Sequence, residues 1–183
     1  MKIKLFFGLV IVGLAGLTVS AFGAEALDVA LQAKIDARLK DVQVWAADPV
    51  IVNAVKAQNA SLPPELAAMT QEKWKDLSKL DPFVRAFDKN EAAAFLKSKK
   101  TEVVIRSFLS DAAGLKVAFT AKTLSWSHQG DPKHELPMTG KTWQGALEQD
   151  QASGLEQVQV SVPVLDGGKP IGSLVVGLCV SKL

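Results

Sequence analysis

The stretch VQVSVPVLDGGKPIGSLVVGL, residues 158–178, contains two apolar runs on either side of a turn. Within residues 155–164, valines alternate with polar residues and proline, which is the pattern of a strand with one buried face. The sequence DGGKP at 166–170 is a strong turn signal. Residues 171–180 are almost continuously apolar, as in a strand that is buried on both faces. The chain is therefore predicted to close with a β-hairpin.

A second hairpin is predicted upstream of this one. Residues 102–109 are rich in valine, isoleucine and phenylalanine, and residues 115–120 alternate between apolar and polar positions. Between these strands, Ser110 to Gly114 has the composition of a turn. Residues 120–151, which separate the two hairpins, are polar and show no clear period, and they are expected to be irregular.

The N-terminal half has the pattern of helices. Leu27, Leu31, Ile35 and Leu39 recur every four residues and predict one long helix with a single apolar stripe. Asp48-Pro49 is a helix-start signal, and further helices are predicted over 65–80, from Asp81-Pro82, and over 91–97. A helical region over 26–100 followed by strands over 101–183 indicates an α+β fold with an antiparallel sheet.

The first residues have the order of a secretory signal peptide. A basic start with Lys2 and Lys4 is followed by an apolar run over 5–19 and by small residues up to Ala26. The small residues fit cleavage after Gly23 or after Ala26. Cleavage after Gly23 leaves one domain over 24–183 in the periplasm or outside the cell; retention as an N-terminal membrane anchor is the alternative. The final Ser-Lys-Leu matches a peroxisomal address, but it is incompatible with an export leader and is interpreted as chance.

Composition excludes several classes of protein. The 183 residues include 21 Lys and Arg and 19 Asp and Glu, a balance that argues against a nucleic-acid-binding protein. Lys2 and Lys4 account for the basic excess, because without them the 21 basic residues become 19 and equal the acidic ones. One Cys and two His exclude an internal disulfide and most metal frameworks, and there is no Tyr.

Three segments in this order resemble the Cache family, the PAS-like extracytoplasmic sensor domains of bacterial receptors. They are WAADPVIVNAV at 45–55, VVIRSFLSDAAGLKVAFT at 103–120 and the final hairpin at 158–178. The resemblance implies a long N-terminal helix and a helical cluster packed on an antiparallel sheet of five to six strands, with a small-molecule pocket under the irregular segment. The amino-acid-binding version of the family uses Tyr in the pocket and Asp in the last strand, where this chain has no Tyr and offers Gly177.

The segment over 120–151 supplies four candidate ligand-binding residues. Trp126 and Trp143 are candidates for pocket walls, and Lys133 or His134 for contact with an anionic group. The alternative is that the tryptophans are lids of the core and that Lys133 is solvated. Two further candidates lie in strands: Arg106, which would bind a carboxylate or pair with a neighbouring acid, and Gln159, which would bond a ligand or face solvent.

Patterns typical of enzymes and of covalent cofactors are missing from the sequence. His128 and His134 lack the spacing of a zinc site, and there is no HExxH, nucleophile elbow, phosphate loop or CxxCH sequence. Cys179 lies in the apolar last strand and is interpreted as a core residue. A noncovalently bound haem with His128 or His134 as its axial ligand is kept as a minor alternative.

The sequence therefore favours a sensory domain that binds a small molecule, such as an organic anion, without converting it and without a cofactor. Its partner would be a membrane receptor, to which it passes ligand occupancy by a shift of the long helix against the sheet. The alternative from another class is a ligand-free interaction module that associates through the long helix.

Overall fold

The computed structural model describes residues 27–150 and 153–183. The predicted signal peptide at 1–23 lies outside these residues. Seven helices are described: α1 (Val29–Ala46), α2 (Pro49–Ala60), α3 (Pro64–Ala67), α4 (Gln71–Asp76), α5 (Pro82–Lys89), α6 (Glu91–Ser98) and α7 (Pro132–Met138). Five strands are described: β1 (Val104–Ser110), β2 (Lys116–Phe119), β3 (Trp143–Gln149), β4 (Glu156–Asp166) and β5 (Lys169–Cys179).

Side-chain caps set the starts of several helices. Asp48 and Asp81 each accept a hydrogen bond from the backbone N–H two residues later, and each is followed by proline at the first helical position. The helix predicted over 65–80 is instead two short helices, α3 and α4. Thr70 divides them, because its extended backbone and its hydroxyl, which accepts from Lys73 N–H, begin a new helix.

The strands form one antiparallel sheet in the order β2-β1-β5-β4-β3. The α+β class with a five-stranded antiparallel sheet is thus confirmed. Both predicted hairpins are present, and in the second, Gly167 and Gly168 have positive φ angles of 57° and 84°, which the tight two-residue turn requires. Glycine adopts these angles without a steric penalty.

The segment over 120–151 differs from its predicted irregular form, because it contains α7 and β3. The helix is only seven residues long and includes Pro137, so its apolar period is too short to recognise in the sequence. In β3 most side chains are half-exposed or exposed, and Gly145 interrupts the strand, so no alternation of apolar and polar residues marks it.

Helices α1 and α2 cover one face of the sheet. Ile35, Val42 and Val55 pack there against the alternating valines of β4, and all of these side chains are fully buried. Burial of one such side chain stabilises the fold by about 1.5–3 kcal/mol. Strand β5 contributes Val176 to this core and Val175 to the opposite face, as predicted for a strand that is buried on both sides.

An aromatic cluster and α7 cover the opposite face, which we call the pocket face. Trp74 of α4 lies at the centre of the cluster, with ring centroids 6.2 Å from Phe87, 6.1 Å from Phe119 and 5.2 Å from Trp126. The indole N–H of Trp74 donates to the carbonyl of Thr123 at 2.8 Å, so the buried polar end of the ring is satisfied. Through Thr123 and Trp126, this cluster holds the segment that precedes α7 against the sheet.

Cys179 is buried at the end of β5, where its Sγ lies 3.4 Å from the hydroxyl of Ser181. Among the residues that the structure describes, no helix is both long and apolar enough to cross a membrane.

Candidate functional site

Three rows of side chains cross the pocket face, because residues paired directly across antiparallel strands lie on the same side of the sheet. The inner row is polar and consists of Lys116, Ser110 and Ser173. The middle row is apolar and consists of Phe119, Phe108 and Val175. The outer row consists of Arg106, Gly177 and Gln159.

A pocket of about 490 Å³ lies over the outer row. Strands β1 and β4 form its floor, β3 and the segment over 122–125 form two of its walls, and the start of α7 closes it. It is lined by Arg106, Phe108, Lys122, Thr123, Leu124, Ser125, His128, Lys133, Glu148, Gln149, Asp150, Gln157 and Gln159. Its volume is within the range of pockets for small molecules, and its polar lining favours a charged ligand.

Arg106 lies on the pocket floor and is partly committed to an ion pair. Its Nη2 is 3.0 Å from the Oδ1 of Asp150, with the Arg106 side chain 18% exposed and the carboxylate 5% exposed. Asp150 also accepts hydrogen bonds from the backbone N–H and the hydroxyl of Ser153, at 2.9 and 2.7 Å. The pairing with a neighbouring acid, left open by the sequence, is therefore present, while part of the guanidinium still faces the pocket.

Lys133 and Gln159 line one end of the pocket, and Trp143 lies beside Lys133 without lining the pocket itself. The Lys133 ammonium donates to Gln159 Oε1 at 3.0 Å and lies 6.0 Å from the centroid of the Trp143 ring. The Lys133 carbonyl accepts from the hydroxyl of Ser161 at 2.6 Å, so α7 is tied to β4 at this point. Three of the residues singled out in the sequence therefore form one contiguous patch.

Trp126 and His134 lie outside the pocket wall. Trp126 is 3% exposed and packs in the aromatic cluster beside Trp74. His134 is 2% exposed, and its Nδ1 is 2.8 Å from the hydroxyl of Ser173. Burial lowers the pKa of His134, so its neutral form packs between α7 and the sheet.

Lys122 is a pocket residue that the sequence reasoning missed. Its ammonium donates to the carbonyl of Trp74 at 2.8 Å and lies 4.7 Å from the centroid of the Trp74 ring. Burial lowers the pKa of Lys122. No local signal marks this lysine, because its place in the pocket depends on the packing of α4 against the segment over 122–125.

His128 covers the inner end of the pocket. Its ring stacks on Phe108 with centroids 4.6 Å apart, and its Nδ1 is 3.4 Å from Asp131 Oδ2. Burial, together with the positive charges of Lys116 and Lys133, lowers the pKa of His128 to about 3. The ring is therefore neutral at physiological pH, and its buried Nε2 has no hydrogen-bond partner in the described part of the chain.

Metal binding finds no support in the part of the chain that the structure describes. No group of three His, Cys, Asp or Glu side chains lies close enough there to hold a metal ion. Both histidines considered as haem ligands are buried, and the Nδ1 of His134 is engaged with Ser173.

No known protein-family profile and no curated protein matches the chain. Among solved structures, the chain is similar to the ligand-binding domain of the Campylobacter jejuni chemoreceptor Tlp3 in complex with 4-methylisoleucine, with 14% identity and a TM-score of 0.43 over 84% of this chain and 56% of that one. It is also similar to the V. cholerae histidine kinase DctB sensor domain, with 17% identity, a TM-score of 0.34, and 81% and 58% coverage. A third is the ligand-binding domain of the Pseudomonas fluorescens chemoreceptor CtaA in complex with L-alanine, with 16% identity, a TM-score of 0.35, and 84% and 60% coverage.

The chain thus spans a little over half the length of these three structures. Each of them is a sensory or ligand-binding domain, the class of domain that the sequence motifs resemble.

Proposed function

We propose that this chain is an exported, Cache-like sensory domain that binds a small organic anion over the outer row and does not convert it. Occupancy would pass to a partner receptor through a shift in the position of α1 relative to the sheet. The observation that carries the proposal is the pocket of about 490 Å³ with Arg106, Lys122 and Lys133 on its walls.

The charge of the pocket favours an anion. Its lining includes three basic side chains and two acidic ones, Glu148 and Asp150, so one positive charge is in excess. Asp150 is bound to Arg106, and Glu148 Oε1 accepts from the side-chain amide of Gln157 at 3.2 Å. Lys133, held in place by Gln159, is the best positioned cation for a ligand carboxylate.

Ligand occupancy would be transmitted through the packing of α1 against the sheet. Helix α1 lies against β4 and β5, and β4 carries part of the pocket floor on its other face. A ligand that binds more tightly when this helix is in one of two positions would shift the equilibrium toward that position. The free energy of this shift cannot exceed the difference between the binding free energies of the ligand for the two positions.

A thermal-shift screen of the purified protein against small carboxylates, amino acids and purines tests the proposal. A ligand at 100 times its dissociation constant adds about 2.7 kcal/mol to the free energy of unfolding. We expect Lys133→Met to weaken binding about 10- to 100-fold, because it removes a charged hydrogen bond. Lys56→Met is the matched control, since Lys56 is half-exposed and pairs only with Asp166 on the surface. The proposal fails if no compound raises the melting temperature.

A second candidate function is self-association without a ligand, through the exposed side of α1. Val29 is 83% exposed and Val44 is 71% exposed, on a helix whose other side is buried against the sheet. Sedimentation of the protein and of a Val44→Glu variant distinguishes the two functions. A ligand-free dimer that Val44→Glu separates would favour the interaction module.

A further inference from the structure

A second polar site lies beside the pocket, on the inner row of the same sheet face. Lys116 of β2 and Ser110 of β1 are paired directly across the two strands, and both side chains are 0% exposed. Within residues 27–150 and 153–183, neither the ammonium nitrogen of Lys116 nor the hydroxyl of Ser110 has a hydrogen-bond partner. Lys116 is thus a fully buried lysine whose amine is unsatisfied within the described residues.

The carboxylates near Lys116 are already occupied. Asp111 accepts from the side-chain amide of Gln58 at 2.7 Å and from the backbone N–H groups of Ala113 and Leu115 at 2.9 Å each. Asp131 caps α7, where it accepts from Lys133 N–H at 3.3 Å. Buried polar groups in native proteins are almost always hydrogen-bonded, and an orphaned one costs about 1–3 kcal/mol. The paired donors of Lys116 and Ser110 therefore lack an acceptor.

One aromatic side chain lies between this site and the pocket. The Lys116 ammonium is 4.7 Å from the centroid of Phe108, whose ring stacks with His128. Phe108 and His128 both line the pocket, and Phe108 belongs to the middle row, between the inner and outer rows. A rearrangement of the Phe108 side chain would therefore join the inner row to the pocket.

We propose that Lys116 and Ser110 form a buried subsite for one anionic group, a carboxylate or a halide ion, which enters from the pocket past Phe108 and His128. This inference deepens the proposed function and rests on it. Lys116 supplies up to three donors and Ser110 one, which suits a compact anion and excludes a cation.

Binding at this subsite is coupled to proton uptake. Burial, with a contribution from the charge of Lys133, holds the pKa of Lys116 well below its usual range, and Asp131 and Asp111 oppose this effect less strongly. The other titratable groups around it, His128 and His134, are neutral because burial lowers their pKa values. The buried amine therefore gives up its proton at a lower pH than an exposed lysine does. Where the amine is uncharged, an arriving anion favours the ammonium, so one proton from solvent joins the amine and no bond of the ligand changes.

Calorimetry of the wild-type protein with sodium formate tests the inference. Titrations at several pH values from 7.5 to 9.5, each in two chloride-free buffers of different ionisation enthalpy, give the number of protons taken up. We expect up to one proton per formate, and the same for sodium chloride if the site accepts free halide. Lys116→Met should weaken formate binding at least tenfold and abolish proton uptake, and Lys56→Met should change neither. The subsite would be overturned if formate bound without proton uptake, or if Lys116→Met bound formate with the same affinity as the wild-type protein.

The comparison with Lys133→Met separates this inference from the proposed function. If larger carboxylates bind and depend on Lys133 but not on Lys116, the sensory pocket stands and the subsite is wrong. If formate binds through Lys116 and no larger carboxylate binds, the subsite stands and the proposed function is wrong. Should Lys116→Met fail to fold, the proton count of the wild-type protein still decides the question.

Discussion

The side-chain amide of Gln157 lies directly over Gly177 on the pocket floor. A Cβ atom at residue 177 would collide with Gln157 Oε1. Gln157 is 2% exposed and its Nε2 donates to Glu148 Oε1 at 3.2 Å. Gly177 therefore allows the glutamine to lie flat between β4 and β5, which leaves the space above it open to a ligand.

Gly177→Ala is expected to push the Gln157 amide into the pocket and to weaken ligand binding. Overpacking of this kind costs about 1–3 kcal/mol, equivalent to roughly 5- to 150-fold in the dissociation constant if it falls on the bound state. Calorimetry on the single variants and on Gly177→Ala combined with Gln157→Ala gives the coupling between the two positions. Recovery of binding in the double variant is the expected result, and purely additive losses would show that the two residues act separately.

Asp150→Asn should strengthen the binding of an organic anion. The substitution removes the carboxylate that competes for Arg106, while the amide oxygen still accepts from Ser153. A gain of about 1 kcal/mol corresponds to roughly fivefold tighter binding. Arg106→Gln should act in the opposite direction, and isothermal titration of the two variants against the wild-type protein measures both effects. Weaker binding in Asp150→Asn would mean that the ion pair positions Arg106 for the ligand.

Stability of the ligand-free protein should rise as the pH increases toward the ordinary pKa of lysine. Burial lowers the pKa of Lys116 in the folded state, so between this lowered pKa and the ordinary value the unfolded chain binds more protons than the folded protein. The free energy of unfolding then increases with pH until the unfolded lysine itself loses its proton near its ordinary pKa. Urea denaturation at several pH values measures the slope. Lys116→Met should abolish most of this slope and should be more stable than wild type at pH 7, whereas an unchanged slope would contradict a lowered pKa of Lys116.

Stability should fall as the pH decreases from 6.5 toward 3. Because the pKa of His128 is about 3 in the folded protein and 6.5 without these surroundings, protonation favours the unfolded chain throughout this interval. One such group contributes about 1.4 kcal/mol per pH unit. His128→Gln should make stability less dependent on pH but should not remove the dependence, because the pKa of His134 is also lowered. Thermal unfolding across this pH range measures how steeply stability depends on pH in the wild-type protein and in His128→Gln. An equal dependence in the two proteins would exclude His128 as its source.

Trp126→Ala and Trp143→Ala should behave differently. Trp126 is nearly fully buried beside Trp74, so its truncation should destabilise the fold by about 3–5 kcal/mol. Trp143 is half-buried on the edge strand β3 beside Lys133, so Trp143→Ala should cost less stability and should mainly weaken binding. Chemical denaturation and calorimetry of the two variants separate these effects. Equal losses of stability would contradict the assignment of Trp126 to the core and of Trp143 to a position beside Lys133 at the edge of the pocket.

The sequence by itself was sufficient for the helix-rich first part, for both hairpins and for the antiparallel sheet. These features rest on local signals: the four-residue spacing that includes Ile35, the alternating valines of β4, and the turn at Gly167-Gly168. Strand β3 could not be recognised, because Gly145 weakens its local period. Helix α7 was missed although Asp131-Pro132 is the same helix-start signal as Asp48-Pro49, because the helix is short and contains Pro137.

The arrangement of the candidate site depended more strongly on tertiary structure than the secondary structure did. Composition and position pointed to Arg106, Lys133, Gln159 and Trp143. The fold brings the first three to one pocket and places the Trp143 ring beside Lys133. Only the pairing of strands decides that Lys116 faces Ser110 without an acceptor. In the sequence, Lys116 is an ordinary polar position of an alternating strand. Its burial follows from the packing of α7 and the aromatic cluster on that face, and burial is what makes its amine chemically unusual.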